Sequence, residues 1–305
     1  MSVTAPATTP APAAAPPDAE SVEANVQSAI REISHIATLP EVTLKIIKLV
    51  EDPNSTAQDL NKVITNDPAL GARILKVVNS AFYGLPGQIG SINRAIVLLG
   101  LNAVKNIAIA ASLAKLFRGG KVCSCFDAKE LWTHSIASAT ATKMLAEKAG
   151  LGLPDEAFLA GLIHDIGLMV EMQARRAEFV EAIETSHSQG RSLREVEAEL
   201  IGATHEQFGQ ALCKLWKFPV SFQNVAGYHH RPLELPEDCR ALPSLVHLAD
   251  VLTKQLEMGY TGDVEEAEID QEIKEALKLT QQDFEEVLAT LPQAIEEAGS
   301  VFTMA

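Results

Sequence analysis

Large apolar residues recur along this chain every three or four positions and almost nowhere every two. Val22, Val26, Ile30 and Ile33 are followed by Val42, Leu44, Ile46, Ile47 and Val50. A helix turns once in about 3.6 residues, so this spacing gathers side chains on one face, whereas a half-buried strand needs strict alternation. No segment sustains that alternation. Aromatic residues are 5% of the chain, few for an all-β protein, while Ala, Leu, Ile, Glu and Lys dominate. The expected fold class is all-α.

Capping and helix-breaking residues set the expected boundaries. Ser55 with Gln58 reads as a capping box for a helix ending at Ile64. Asp67-Pro68 supplies an N-cap and a proline in the first turn of a helix through Val78. Phe82 to Gly90 holds three glycines and a proline and must be a loop; Asn79-Ser80 just before it reads as a helix stop. Further helices are expected over Ser91–Leu99, Val104–Phe117, Asp127–Lys148, Asp155–Met172, Ala177–Ser188, Ser192–Glu199, Thr204–Trp216, Val220–His230 and Ala241–Met258. An acidic pair, near Glu265–Leu277 and Gln281–Glu297, closes the chain, with Pro292 expected to kink the last helix. The expected organisation is an Ala/Pro/Thr tail over 1–20, an N-terminal helical subdomain over 21–121, a second helical bundle over 122–260 and acidic helices over 261–305. Trp132 and Trp216 have helically spaced neighbours and belong in the core.

Twenty-five basic against 40 acidic residues leave a net charge of −15, which argues against a nucleic-acid partner. No run reaches the roughly 18 apolar residues that span a bilayer, and the N-terminus lacks the basic and apolar regions of a secretory signal. Cys123, Cys125, Cys213 and Cys239 are too irregularly spaced for a disulfide scaffold, so a reducing cytoplasm is the expected home. Cys123-Ser124-Cys125, without a second pair, reads as loop thiols. Small-molecule, metal and protein partners stay open.

Six of the eight histidines lie between positions 134 and 230. Glu130 and His134, four apart on one helix, leave from the same face. His164-Asp165 interrupts the apolar run Ala157 to Leu168, where burial without partners would cost several kcal/mol; a cation would satisfy both, and so would a mutual hydrogen bond. His205 opens a helix, His229-His230 closes one, and Asp250 lies within apolar Val246 to Leu252. Imidazole and carboxylate without thiolate suit Mn, Fe, Ni, Co or Zn rather than a structural zinc finger. A carboxylate such as Asp165 can bridge two cations, and a two-ion site can hold hydroxide against phosphorus.

In this order, Glu130-x-x-x-His134, His164-Asp165-Ile166-Gly167, His205, His229-His230 and Asp250 resemble the HD superfamily of metal-dependent phosphohydrolases, nearest the branch with HD-GYP phosphodiesterases. Leu39-Pro40, Asp67-Pro68-Ala69-Leu70, Asn79-Ser80-Ala81-Phe82-Tyr83-Gly84 and Ile92-x-x-Ala95-Ile96-x-x-Leu99-Gly100-Leu101 resemble the HDOD domain, a bacterial signalling module. The resemblance spans about residues 25–255. It implies an N-terminal helical subdomain packed against an HD-type metal-binding bundle. It further implies His134, His164, Asp165 and Asp250 as ligands of a first ion, with Asp165 bridging and carrying the catalytic role if there is one. His205, His229 and His230 would hold a second ion, and Glu130 would join when a third is present. Many HDOD domains lack several of these positions and are thought to act without catalysis; this chain retains all eight.

Two departures tell against cyclic di-GMP as a substrate. Leu168 stands where HD-GYP proteins have lysine, and Arg231-Pro232-Leu233-Glu234-Leu235-Pro236 replaces their Gly-Tyr-Pro segment. The expected function is a cytoplasmic signalling protein with two divalent transition-metal ions (Fe, Mn, Ni or Zn), acting through metal binding and contacts with signalling protein partners. The alternative is an active phosphohydrolase on a nucleotide or other small phosphate-containing ligand. His35, His187 and His247 match no family position; solvent-facing or supporting roles are expected, with His247 one turn before Asp250 and placed to orient it.

Overall fold

The computed structural model describes residues 18–33, 39–117, 120–262 and 271–302. Among these described residues sixteen α-helices carry nearly all of the regular structure. The first six are α1 (Ala19–Glu32), α2 (Glu41–Glu51), α3 (Ala57–Thr65), α4 (Pro68–Val78), α5 (Ile92–Leu99) and α6 (Leu101–Leu113). After a small hairpin, β1 (Lys121–Cys123) and β2 (Phe126–Asp127), come α7 (Ala128–Lys148), α8 (Pro154–Ile163), α9 (Ile166–Ala174), α10 (Arg176–Gln189) and α11 (Leu193–Leu200). The chain continues through α12 (His205–Leu215), α13 (Val220–Tyr228), α14 (Ala241–Gln255), α15 (Gln271–Ala276) and α16 (Gln281–Val301). The expected tail through position 17, His35 and the acidic stretch 263–270 lie outside the described residues.

The local departures from expectation have physical reasons. The capping box of α3 is Thr56 with Asp59, one residue later than the Ser55 and Gln58 pair. Ser55 is engaged elsewhere: its hydroxyl donates to the Leu49 carbonyl at 2.8 Å and accepts from Lys105 Nζ at 2.7 Å. The antiparallel hairpin is too short to show alternation; Phe126 anchors it, its ring edge-on to Phe179 and Tyr260 at 4.9 Å from each. The single helix expected over Asp155–Met172 breaks into α8 and α9 at His164-Asp165, where Asp165 adopts φ −94° and ψ 16°. Pro292 lies inside α16, which runs on to Val301.

One buried apolar cluster extends from Val26 and Ile30 through Ile74 and Val104 to Phe158, Leu212 and Phe302, so the two halves share a core. A second joins Leu145 of α7 and Leu248 and Leu252 of α14 to Ile273, Phe284 and Leu291 of the last two helices. Both tryptophans are buried, and Trp132 Nε1 donates to the Phe302 carbonyl at 3.0 Å, tying the C-terminal end to α7. The loop after α4 is clamped by Asn79, whose amide donates to Leu75 O and Ile89 O and accepts from Ile89 N. That clamp presents Phe82 and Tyr83 to α7 and α8, where Lys143 Nζ lies 4.3 and 4.6 Å from the two ring centres and the Tyr83 hydroxyl donates to Asp155 at 2.9 Å. The stretch Pro154–Ala174 is long and apolar enough to cross a membrane, but 89% of its most apolar 18-residue window is buried inside the protein.

Candidate metal centre

Five chain segments bring the cluster together. His134 projects from the middle of α7, His164 and Asp165 sit at the break between α8 and α9, His205 opens α12, His229 and His230 follow α13, and Asp250 lies in α14. The glycine of His-Asp-Ile-Gly has a packing reason. A Cβ on Gly167 would come within 1.8 Å of the His205 carbonyl oxygen, so only glycine lets the start of α9 lie against α12. That contact brings Asp165 up to His205.

Three histidines are oriented by their δ nitrogens. His164 Nδ1 is bonded to Gly161 O at 2.7 Å and His229 Nδ1 to Val225 O at 3.1 Å, while His205 Nδ1 meets both Glu197 oxygens at 3.0 and 2.9 Å. A carbonyl or carboxylate behind one ring nitrogen fixes the tautomer and leaves Nε2 as the donor facing inward, the arrangement that supports metal-ligating histidine. Those ε nitrogens converge on Asp165 in two sets. Its Oδ2 lies 3.3 Å from His164 Nε2 and 3.7 Å from His134 Nε2. Its Oδ1 lies 3.3 Å from His229 Nε2 and 3.8 Å from His205 Nε2. Asp250 Oδ1 completes the first set, 3.0 Å from His134 Nε2 and 3.9 Å from His164 Nε2. His230 Nε2 completes the second, 3.1 Å from His205 Nε2.

The donor atoms of His134, His164 and Asp165 all lie within 4.8 Å of one another, as do those of Asp165, His205, His229 and His230. Ligand bonds of about 2.0–2.2 Å can close on such a set. Three atoms pointing into the cluster, His164 Nε2, His229 Nε2 and Asp250 Oδ1, are buried and meet only the opposing nitrogens and oxygens of the cluster itself, without a well-formed hydrogen bond. Buried polar atoms are ordinarily satisfied, and divalent cations would satisfy all three. The residues present therefore fit the ions.

Charge inside the cluster is mutually compensated. Burial opposes ionisation of Asp165 and Asp250, yet both carboxyls are held well below the ordinary carboxylate range, Asp165 by His164 and His229 and Asp250 by Lys254 and His134. Burial likewise disfavours the His205 imidazolium, but Glu197 and Asp165 outweigh it and raise its pKa to about 10. His229 is shifted the other way, chiefly by burial.

Glu130 is the one expected ligand not gathered with the others. It is exposed and lines a separate cavity of about 560 Å³ with Lys121, His187 and Tyr260. The cause is the segment after α14. Tyr260 N–H donates to the Glu130 carbonyl at 3.0 Å, and Gly259 lies so flat on α7 that a Cβ would come within 2.5 Å of Glu130 O and His134 N. Tyr260 lines both that cavity and the mouth of the cluster. His247 does not orient Asp250; its Nδ1 is bonded to the His229 carbonyl at 2.9 Å.

Other members escape sequence reasoning. Glu197, fully buried on α11, holds His205. Glu171, fully buried on α9, has both oxygens without a conventional partner. Glu206 accepts from Arg194 Nε at 2.8 Å and Arg231 Nε at 3.3 Å. Lys254 Nζ lies 2.8 Å from Asp250 Oδ2 and, with Leu168, Leu193 and Tyr260, rims the mouth. The cavity there leaves about 10 Å³ for the centre of a water-sized sphere, room for about one water.

An all-helical protein built around a buried histidine–aspartate cluster is the class that fold and site define. The HDOD domain family matches over residues 36–232, and the chain belongs to that family. A protein of Treponema pallidum (strain Nichols) without an assigned role is 24% identical over 226 residues, 74% of this chain but 43% of that protein, so this chain spans less than half of its curated relative. The fold is shared with an HDOD domain protein of unknown function from Geobacter sulfurreducens (TM-score 0.78, 23% identity, 93% of this chain and 99% of that one). It is also shared with a Shewanella amazonensis SB2B protein provisionally named a phosphohydrolase (TM-score 0.71, 22% identity, 92% and 98%).

Proposed function

We propose that this HDOD protein is a metal-binding signalling module. His134, His164, Asp165 and Asp250 would hold one divalent transition-metal ion, His205, His229, His230 and Asp165 a second, with Asp165 between them. The observation that carries this reading is the division of labour on Asp165, whose two oxygens each face a different set of inward-aimed imidazoles. Output would pass through contacts with a protein partner in the cytoplasm.

The ions would supply Lewis-acid character and a means of lowering the pKa of bound water. The chain's own residues favour holding over turnover. Leu168, Leu193, Lys254 and Tyr260 line, with His134, Asp165, His205 and His230, a cavity that among the described residues has room for about one water, less than a phosphate ester needs beside the cluster unless they move. The name of the Shewanella neighbour supports a second reading, a phosphohydrolase on a nucleotide or other phosphate ester, which requires that movement.

One set of measurements separates the two. Metal content is determined on protein purified without added ions, and turnover is assayed on a panel of phosphodiesters and nucleotides with Mn or Fe. Bound metal without turnover supports the module. Turnover lost in folded His164→Ala and Asp165→Ala supports the hydrolase. A folded protein that takes up no ion under any condition defeats both.

A further inference from the structure

Away from the histidine–aspartate cluster, the turn after α7 and the start of α13 line a groove of about 330 Å³. Leu151, Leu153 and Val220 stand at its sides, 41%, 56% and 65% exposed. They are three of the six large apolar side chains exposed among the described residues. The leucines belong to a built turn. Gly150 and Gly152, at φ +68° and +70°, flank Leu151, and Pro154 opens α8 directly after Leu153. Leu151 N–H donates to Ala146 O at 3.2 Å, and Ala157 N–H to Leu153 O at 3.0 Å. Buried Ala157 and Leu245 and half-buried Leu242 continue the apolar wall inward. A contiguous apolar patch held in place in this way marks a docking surface.

The charge lining the groove has one sign. Its charged side chains are Glu156 and Asp238. Glu156 is half-buried and accepts from the Ser221 hydroxyl at 3.4 Å; burial pushes its carboxyl above the usual value with no cation to offset it. Asp238 is exposed at the rim beside Cys239. Neither long segment outside the described residues brings a basic side chain: residues 1–17 have none, and residues 263–270 carry five acids and no base. A second copy of the chain, at net charge −15, and an anionic lipid surface would each meet like charge. The complement of this groove is an apolar surface carrying positive charge.

We propose that this groove docks a protein partner through a basic amphipathic helix, whose apolar face covers Leu151, Leu153 and Val220 and whose cationic side chains meet Glu156 and Asp238. The groove is walled by helices, and the mode that suits such a wall is a helix anchored at i, i+3, i+4 and i+7. An occupant confined to the cavity would leave the three exposed side chains in water; a helix laid along it covers them. The location also ties the groove to the cluster. Each of α7, α8, α13 and α14 contributes to the groove and, further along, to the cluster: Ala146 and His134, Glu156 and His164, Asn224 and His229, Leu245 and Asp250. The last two pairs are five residues apart, about 8 Å along a helix. The proposal rests on the reading of this protein as a signalling module with a protein output, and not on its ions.

The test uses the metal-free full chain, so that its failure is separate from any failure of the metal centre. The probe is a synthetic amphipathic helix of leucine and lysine, about four turns long, titrated by fluorescence anisotropy at physiological salt beside its leucine–glutamate twin and a scrambled leucine–lysine peptide. The parent should bind the first roughly tenfold or more tighter than either control. Val220→Asp and Leu153→Asp should each weaken that binding roughly tenfold or more. Both add negative charge, so mere attraction of a basic peptide to an acidic protein would strengthen instead; the sign separates the two. Both also suit their helices: Val220 is the first residue of α13, where an acid is favourable, and Leu153 is the N-cap of α8, where Asp is preferred. Melting curves establish folding, and either variant carries the comparison alone. Glu156→Gln with Asp238→Asn should narrow the preference for lysine over glutamate. No binding to the parent, equal binding of the controls, or binding unchanged or tightened in folded Val220→Asp and Leu153→Asp overturns the proposal. So does a parent dimer, seen by sedimentation, that Val220→Asp dissolves, since the occupant would then be a second copy.

Discussion

The helices before the hairpin and those after it bury themselves differently. In α3 and α4 the buried residues are Leu60, Ile64, Leu70, Ile74, Val77 and Val78, an apolar stripe and nothing more. In α7 the buried set includes His134, Ser135, Ser138, Thr140 and Thr142. Across the break and α9 it includes His164, Asp165 and Glu171. An apolar stripe is what helix packing requires. Polar groups enclosed on nearly every side of a helix are costly unless partnered; among the described residues before the hairpin the buried ones are Thr43, Lys105, Asn106 and Ser112, with no imidazole or carboxylate among them, so the buried histidines and acids of the second half mark where the chain has given up packing for chemistry.

The sharpest way to break that contrast is Asp165→Ala. Removing the carboxylate shared by both sets takes a ligand from each at once, and affinity for Mn²⁺ should fall more than about 100-fold at both, a larger loss than the 10–100-fold typical of supporting residues. Titration of the folded variant checks it; full affinity retained at either set would show that Asp165 is not shared. The counterpart in the first half is Leu70→Ala. Leu70 is fully buried in α4, so truncation should cost about 2–5 kcal/mol in denaturant unfolding yet leave the metal stoichiometry of the folded protein unchanged. A lost ion there would mean that the apolar half also shapes the centre.

The same contrast explains what could be read in the sequence. Helical spacing locates nearly every helix because an apolar stripe is a local signal. His164-Asp165, Asp250 and the His229-His230 pair stand out because they are polar residues in apolar surroundings. The break between α8 and α9 is not legible in that way: its flanking residues keep helical spacing, and the turn is set by packing against α12 through Gly167. Glu197 lies on a helix whose other glutamates, Glu195 and Glu199, are exposed, so nothing local separates a buried partner of His205 from an ordinary surface acid. Lys254 did leave a signal, Asp250-x-x-x-Lys254 inside an apolar helix, and the i, i+4 rule that pairs Glu130 with His134 would have found it. Glu130 shows the limit of that rule. Sharing a helix face with His134 does not place it in the cluster, because Gly259 and Tyr260 pack across α7.

A smaller effect is expected behind His205. Glu197→Gln keeps the shape but removes the charge that supports the imidazole, so binding at the His205, His229 and His230 set should weaken about 10–100-fold while the other set is unchanged. Because the His205 pKa of about 10 in the metal-free protein is owed to Glu197 and Asp165, an ion must displace that proton. Proton release on metal binding, measured by titration in buffers of different ionisation heat, should shrink in the variant. Equal proton release in parent and Glu197→Gln would remove Glu197 from this role.

The smallest effect belongs to Glu171. Burial first, and then the Glu197 carboxylate beside it, push its carboxyl well above the ordinary value of 4.5, since two adjacent acids in the interior share a proton more readily than they both ionise. The folded state therefore holds this proton more tightly than the unfolded chain does. The stability it contributes is complete below the unfolded value of 4.5 and is lost as pH climbs toward the raised folded one. Glutamine has nearly the same shape, offers an N–H to Glu197 and has nothing to deprotonate. Glu171→Gln should thus gain on the parent as pH rises from 5 to 8, by roughly a few degrees in Tm, with metal-free protein used throughout so that ion binding does not contribute. If the two melting curves kept a constant separation over that range, Glu171 would have to be ionised already in the folded protein, and the buried polar half would be carrying one more negative charge than its partners can offset.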